Sequence, residues 1–166
     1  RLDGHEASFY KDIEGQICYL IFLRYYGCTV CQYIIRNLSD NYNKFLEKNI
    51  NIFVVLQSEP SIINQAIQED RISVNIIPDV EQAIYKLYDV KPAKNKAGLA
   101  SLRTIEIMKK AKKLKLIHGE YEGNELQLPA TFLIDQDKVL RYVKYGSGAG
   151  DVPEAKELIN INKDLP

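Results

Sequence analysis

The sequence predicts an α/β protein in which a mixed central sheet carries helices on both faces, a three-layer α/β/α arrangement. Three features point there. Two near-continuous apolar runs, residues 17–25 (ICYLIFLRY) and 50–57 (INIFVVLQ), read as strands buried on both faces, as in the middle of a parallel sheet. Helical stripes follow each run, so the first half reads as right-handed parallel crossovers. Near the C-terminal end, two further strands face each other across Gln136, Asp137 and Lys138, which adds antiparallel pairing.

Gly27 ends the first strand. Apolar residues then fall at 31, 34, 35, 38, 42, 45 and 46, the spacing of one buried helix face, and Asn49 suits the end of that helix. Ser58 is suited to cap the next helix, with Glu59 and Pro60 in its first turn and Ile62, Ile63, Ala66 and Ile67 as its inner stripe to about Asp70. Residues 74–77 form a short strand stopped by Pro78, and Val80, Ala83, Ile84, Leu87 and Tyr88 mark a further helix. Residues 91–100 read as a loop. Ser101 caps a helix to about Ile117 whose surface carries Arg103, Lys109, Lys110, Lys112, Lys113 and Lys115. A solvated face is the plainer reading of that basic run, and a binding face the sharper one. Residues 118–128 are a polar loop, 131–135 and 139–145 the hairpin strands, and 146–150 (GSGAG) a loop. Asp151 caps a last helix with Pro153 in its first turn. No repeat, linker or composition shift divides the chain, so residues 1–166 read as a single domain.

Composition narrows the function. Lys plus Arg and Asp plus Glu both number 22, a formal net charge of zero, which disfavours nucleic acid as a partner. No apolar run reaches the roughly 18 residues of a membrane-spanning helix. Three cysteines are too few for a disulfide-built secreted scaffold. No secretory leader opens the chain, although it begins at Arg1 rather than Met and an upstream segment is compatible with it. The expectation is a cytoplasmic, reducing setting. A zinc site would need both histidines, His5 and His118, from distant positions beside one cysteine pair, so no metal is expected. Gly146, Gly148 and Gly150 follow the hairpin rather than a first parallel strand, which is the wrong place for a nucleotide fingerprint.

The chemistry-bearing motif is Cys28-x-x-Cys31, at a strand–helix junction. That spacing brings two sulfurs together across one helical turn, and the helix N-terminus favours a thiolate. Cys28 is expected at the surface and Cys31 behind it, whereas Cys18, inside the strand, reads as an inert core thiol. Arg24 is placed to lower a thiol pKa or simply to end the strand at the surface. Tyr26 is placed to line a substrate groove or to pack in the core. Pro129 stands at the first residue of a strand, where proline is tolerated. His118 and Glu120, in the loop before Gln127, are placed either to act on protons or to stay solvated.

Residues 22–32 (FLRYYGCTVCQ) and 127–135 (QLPATFLID), supported by 76–90 and 145–153, resemble the peroxiredoxin-like branch of the alkyl hydroperoxide reductase and thiol-specific antioxidant family, within the thioredoxin superfamily. The resemblance implies a thioredoxin-like fold, catalytic Cys28 and Cys31, and a cis bond before Pro129, whose backbone meets the substrate; Gly27, Tyr26 and Arg24, by their places just before the pair, are expected near the substrate as well. It implies a peroxide or disulfide substrate and an external thioredoxin- or glutaredoxin-like reductant. No flavin, haem or other cofactor is needed, because the sulfurs carry the electrons. The family's P-x-x-x-T-x-x-C pattern, laid on Cys31, puts Arg24 at the proline and Cys28 at the threonine, and Pro129 replaces the family's late arginine. Two assignments therefore stay open. In one, Cys31 attacks peroxide and Cys28 resolves; in the other, Cys28 is the nucleophile of a dithiol pair and Cys31 resolves. The rivals are a disulfide reductase without peroxidase activity, a non-enzymatic redox sensor or binding module, and metal held across a dimer. Several tyrosines are compatible with a homodimer.

Overall fold

The computed structural model describes residues 9–161. In order they form α1 (Phe9–Asp12), β1 (Ile17–Phe22), α2 (Thr29–Asp40), α3 (Tyr42–Leu46), β2 (Ile50–Leu56), α4 (Pro60–Asp70), β3 (Asn75–Pro78), α5 (Ala83–Leu87), a 3-10 turn (Lys96–Leu99), α6 (Leu102–Lys113), β4 (Ala130–Ile134), β5 (Leu140–Tyr145) and α7 (Ala155–Ile161). The sheet order is β3-β2-β1-β4-β5. β1 pairs parallel with β2, β2 parallel with β3, and the β4–β5 hairpin joins antiparallel to β1. This is the mixed sheet expected.

Side-chain alternation sorts the core into two layers. Tyr19 and Ile21 of β1, Ile52 and Val54 of β2 and Leu133 of β4 join one cluster with Cys31, Ile34 and Leu38 of α2 and with Ile107 and Leu158. Cys18, Leu20 and Phe22 of β1, with Phe53, Val55 and Phe132, face Ile13 and Tyr85 on the other side. Helices therefore cover both faces. Cys18 and Cys31 lie on opposite sides of the sheet because Cys18 has even parity on β1. Tyr85 ties the second layer to the sheet, its hydroxyl donating to the Val55 carbonyl at 2.9 Å.

Several boundaries differ from the sequence reading. The stripe over 31–46 is two helices, because Asn41 breaks it and turns its side-chain amide onto the Asn37 carbonyl at 2.8 Å. Glu59, not Ser58, occupies the cap of α4, since the Ser58 hydroxyl is taken by Tyr26 N–H at 2.8 Å. α5 begins at Ala83 rather than near Val80, where the Asp79 carboxylate accepts the N–H groups of Ala83, Ile84 and Tyr85 at 2.9, 2.8 and 3.1 Å. α6 stops at Lys113, short of Ile117, and its cap is the expected one, with Ser101 Oγ accepting Thr104 N–H at 3.0 Å. Asp151 does not cap α7. It accepts from Ser147 N–H at 2.9 Å and pairs with Lys144 at 2.6 Å, while Asn37 Oδ1 accepts the Ala155 N–H at 3.1 Å.

The bond before Pro129 is a further correction, since no peptide bond among the described residues is cis. A trans bond is the lower-energy state of an X-Pro unit. It carries the chain extended from the Gln127 bridge with Pro92 into β4.

Asp79 is nearly buried and satisfies three helix N–H groups. Replacing it with Ala leaves those donors without their acceptor and is expected to cost about 1–3 kcal/mol in urea unfolding. A loss near zero would show that water replaces the carboxylate.

Candidate functional site: a buried cysteine pair under a strap

β1 delivers the chain from the middle of the sheet to residues 23–28, and α2 begins at Thr29. Cys28 occupies the N-cap position with extended backbone (φ −72°, ψ 119°), and its carbonyl accepts Gln32 N–H at 2.9 Å. Cys31 lies on the first turn, its side chain toward the sheet. The strand–helix junction therefore brings the two thiols together, and both are free.

Cys28 is not at the surface. It is only 1% exposed, as is Cys31. The cover is the segment after α6, residues 117–125. Gly119 N–H donates to the Gly27 carbonyl at 2.8 Å, and Gln32 Nε2 donates to the Ile117 carbonyl at 3.0 Å. Glu122 accepts the Ser58 hydroxyl at 2.7 Å and the Glu59 N–H at 3.1 Å. Gln57 Oε1 accepts the Asn124 N–H at 2.7 Å. Gly27 is required by this crossing, because a Cβ there would stand 2.1 Å from the Glu120 carbonyl oxygen.

Electrostatics separates the two thiols. Arg24 donates from Nη2 to Cys28 Sγ at 3.0 Å and from Nη1 to the Glu125 carbonyl at 2.8 Å. The Cys31 thiol donates to the Cys28 sulfur and is the largest cause that lowers the Cys28 pKa, with the Arg24 charge adding to it against the cost of burial. Cys31 shifts the other way, pushed up by desolvation and by the Cys28 thiolate. The surroundings thus favour a thiolate at Cys28 over one at Cys31. Cys18 has no cation, and burial alone pushes it up to about 12.

The other expected site residues fall as follows. Tyr26 lines a cleft on the α4 side of the strap, and its hydroxyl donates to the Asp70 carboxylate. The Tyr25 hydroxyl and His118 Nε2 are 3.3 Å apart, and His118 stacks on Tyr121 with ring centroids 4.3 Å apart. Glu120 meets Gly27 through its backbone. Pro129 lies buried at the end of β4 that faces the cysteine loop, and its carbonyl accepts Gly146 N–H at 2.8 Å. Among the described residues no group of three His, Cys, Asp or Glu side chains is placed to hold a metal, and no helix is long and apolar enough to cross a membrane. His5 lies outside the described residues. Ser58, Glu122, Gln57 and Glu125 were missed by sequence reasoning. Glu125 acts through its carbonyl, which every residue type offers, so only the Gly27 and Gly119 pair hinted at a close crossing.

The AhpC/TSA family model matches residues 1–143. The chain belongs to this family. No curated protein matches it significantly. Among solved structures, a cysteine-to-serine mutant of peroxiredoxin Q from Xanthomonas campestris superposes with a TM-score of 0.68 at 11% identity, covering 96% of this chain and 85% of that one. The reduced 2-Cys peroxiredoxin of Plasmodium vivax gives 0.65 at 14% identity over 92% of this chain and 67% of that one. StoA of Bacillus subtilis gives 0.56 at 12% identity over 90% and 84%. These likenesses are of fold, which is thioredoxin-like as the resemblance implied.

Gly27→Ala is expected to lift the strap. Overpacking at this crossing should cost about 1–3 kcal/mol in urea unfolding. It should also raise the rate at which a bulky disulfide reagent labels Cys28 severalfold. Unchanged labelling would mean that the strap does not limit access.

Proposed function

We propose that this chain is a thiol-dependent peroxidase of the peroxiredoxin-like kind in which Cys28 is the attacking sulfur and Cys31 the resolving one. The observation that carries the reading is the Arg24–Cys28 contact of 3.0 Å, which holds a buried sulfur as thiolate. The sequence paired peroxide with attack by Cys31 and disulfide exchange with attack by Cys28; this reading keeps the peroxide and moves the attack to Cys28. In the cycle, the Cys28 thiolate attacks the distal oxygen of a hydroperoxide. The O–O bond breaks, the alkoxide leaves and takes a proton, and Cys28 becomes a sulfenic acid. The Cys31 thiol then displaces hydroxide from that sulfur, giving the Cys28–Cys31 disulfide and water. An external dithiol returns both sulfurs to the reduced state.

Arg24 serves twice in this reading. Its Nη2 stabilises the thiolate, and its buried Nε–H, without an acceptor among the described residues, is a donor left over for a peroxide oxygen. Burial favours a small oxidant, since a hydroperoxide needs far less opening of the strap than a protein disulfide. The second reading, a disulfide reductase, draws on the same acidic Cys28, which is also a good leaving group in exchange. Pro129, Gly27 and Tyr26 border the substrate in this proposal, and a reducing, cytoplasmic setting suits a pair that must be re-reduced.

Stopped-flow oxidation by hydrogen peroxide separates these readings. Wild type and Cys31→Ser are expected to react much faster than a free thiol of pKa about 8.5, with Cys31→Ser halting at the sulfenic acid. Cys28→Ser should fall to the free-thiol rate. If every variant reacts like free cysteine, peroxide is not the substrate and disulfide exchange stands.

The pH profile tests Arg24. The Cys28 pKa is lowered, so its alkylation rate should already be on its plateau at neutral pH and fall only on the acid side. In Arg24→Gln the midpoint should move up by about one unit or more. A midpoint that stays in place removes Arg24 from the activation of Cys28.

A further inference from the structure

The basic face of α6 is not an evenly solvated helix surface. Beside α6 runs a groove of about 670 Å³ that ends on Thr29, the residue after Cys28. Ile105, Met108 and Ile117 line it and are 48%, 55% and 82% exposed. Apolar side chains exposed together in a concavity are a recurrent mark of a binding surface. Lys109, Lys112 and Lys115 border them. Neighbouring cations are neutralised, Lys110 by Glu154 at 2.5 Å and Arg103 by Glu157. The three groove lysines make no ion pair with any described residue.

The cycle proposed above requires a dithiol from outside. Cys18 cannot supply it, because it is fully buried on the opposite face of the sheet. We propose that the α6 groove is the docking seat of an acidic protein dithiol that reduces the Cys28–Cys31 disulfide. Its acidic residues would meet Lys109, Lys112 and Lys115, and an apolar ridge would fill the floor over Met108. This rests on the dithiol cycle. A thiolate of the docked protein attacks Cys28 Sγ, the Cys28–Cys31 bond breaks, and Cys31 leaves as a thiolate that takes a proton. The partner's second thiolate then attacks its own sulfur in the mixed disulfide and releases Cys28 as thiolate. Two electrons pass, leaving the partner as the disulfide and this chain as the dithiol. A concave seat ending on Thr29 suits a protein ridge that must bring a sulfur to Cys28 better than it suits a flat membrane. Ile117 belongs both to the groove and to the root of the strap, so a seated partner presses on the segment that covers the sulfur.

The test uses the full chain oxidised to the disulfide and reduced by an acidic thioredoxin, with dithiothreitol in parallel. The chain has no tryptophan, so a tryptophan in the thioredoxin reports alone. The K109E/K112E/K115E variant is expected to lose at least about tenfold in the second-order rate with thioredoxin, with a rate that rises rather than falls on adding salt. Its rate with dithiothreitol and its Cys28 alkylation profile should not change. The K109Q/K112Q/K115Q variant should fall between. Equal thioredoxin rates in wild type and both variants overturn the proposal, as does thioredoxin failing to reduce a wild-type disulfide that dithiothreitol reduces. Charge-sensitive binding to anionic vesicles, or a dimer lost in the variants, with unchanged thioredoxin rates, reassigns the groove to a membrane or to a second copy. If peroxide forms no disulfide in wild type, the dithiol cycle itself falls, and that result is distinct from the others.

Discussion

A buried negative sulfur needs a cation, and Arg24 supplies it. Cys28 is almost entirely shielded from water, where an unpaired thiolate would be costly enough to stay protonated. Arg24 sits just past the end of β1, and its side chain reaches Cys28 Sγ from within the same loop. It is held there by the Glu125 carbonyl, contributed by a segment about a hundred residues further along the chain. That carbonyl fixes one end of the guanidinium, so residues 117–125 share in lowering the Cys28 pKa, after the larger share of the Cys31 thiol. The sheet, α2 and the strap all bear on this one contact.

The two other cysteines show how position decides chemistry. Cys18 and Cys31 are as buried as Cys28, and all three are free. Cys18 is on the far face of β1 with apolar neighbours, and desolvation acts on it unopposed. Cys31 faces Cys28, so burial first and then the neighbouring Cys28 sulfur push its pKa up, and its thiol donates toward that sulfur. A protonated thiol held against an acidic one is the arrangement a resolving residue needs. One parity step on a strand and one turn of a helix set these three fates.

The strands were legible because burial on both faces leaves an unbroken apolar run, and α2 because its inner face repeats at helical spacing. Ser101 was legible because a capping hydroxyl acts on the chain next to it. What was not legible rests on contacts between distant segments. Ser58 and Asp151 have the chemistry of caps, yet Tyr26 N–H claims one, and Ser147 and Lys144 claim the other. The break at Asn41 leaves the apolar repeat intact, so periodicity passes straight through it. The exposed position expected of Cys28 was right for a cysteine at a bare helix N-terminus and wrong once the strap crosses Gly27. The glycines of residues 146–150 answer to packing in the same way, since a Cβ at Gly146 would stand 2.7 Å from Pro129 Cγ.

Access and activation at this site oppose each other. With the strap down, Arg24 is fixed and Cys28 is charged, but the sulfur is covered. With the strap lifted, the sulfur is open, but the Glu125 carbonyl that steadies Arg24 moves away with it. In the proposed cycle a small oxidant suits this geometry, because it needs less opening of the cover than a protein disulfide does. The reductant meets a different sulfur. In the disulfide neither cysteine carries a charge, so Arg24 has no thiolate to hold and part of the reason for the strap to stay closed is gone. In the proposed cycle, a larger partner would therefore meet Cys28 at the step where Arg24 has least to hold. The Arg24 side chain joins the two: one guanidinium nitrogen is given to Cys28 Sγ and another to the Glu125 carbonyl of the strap.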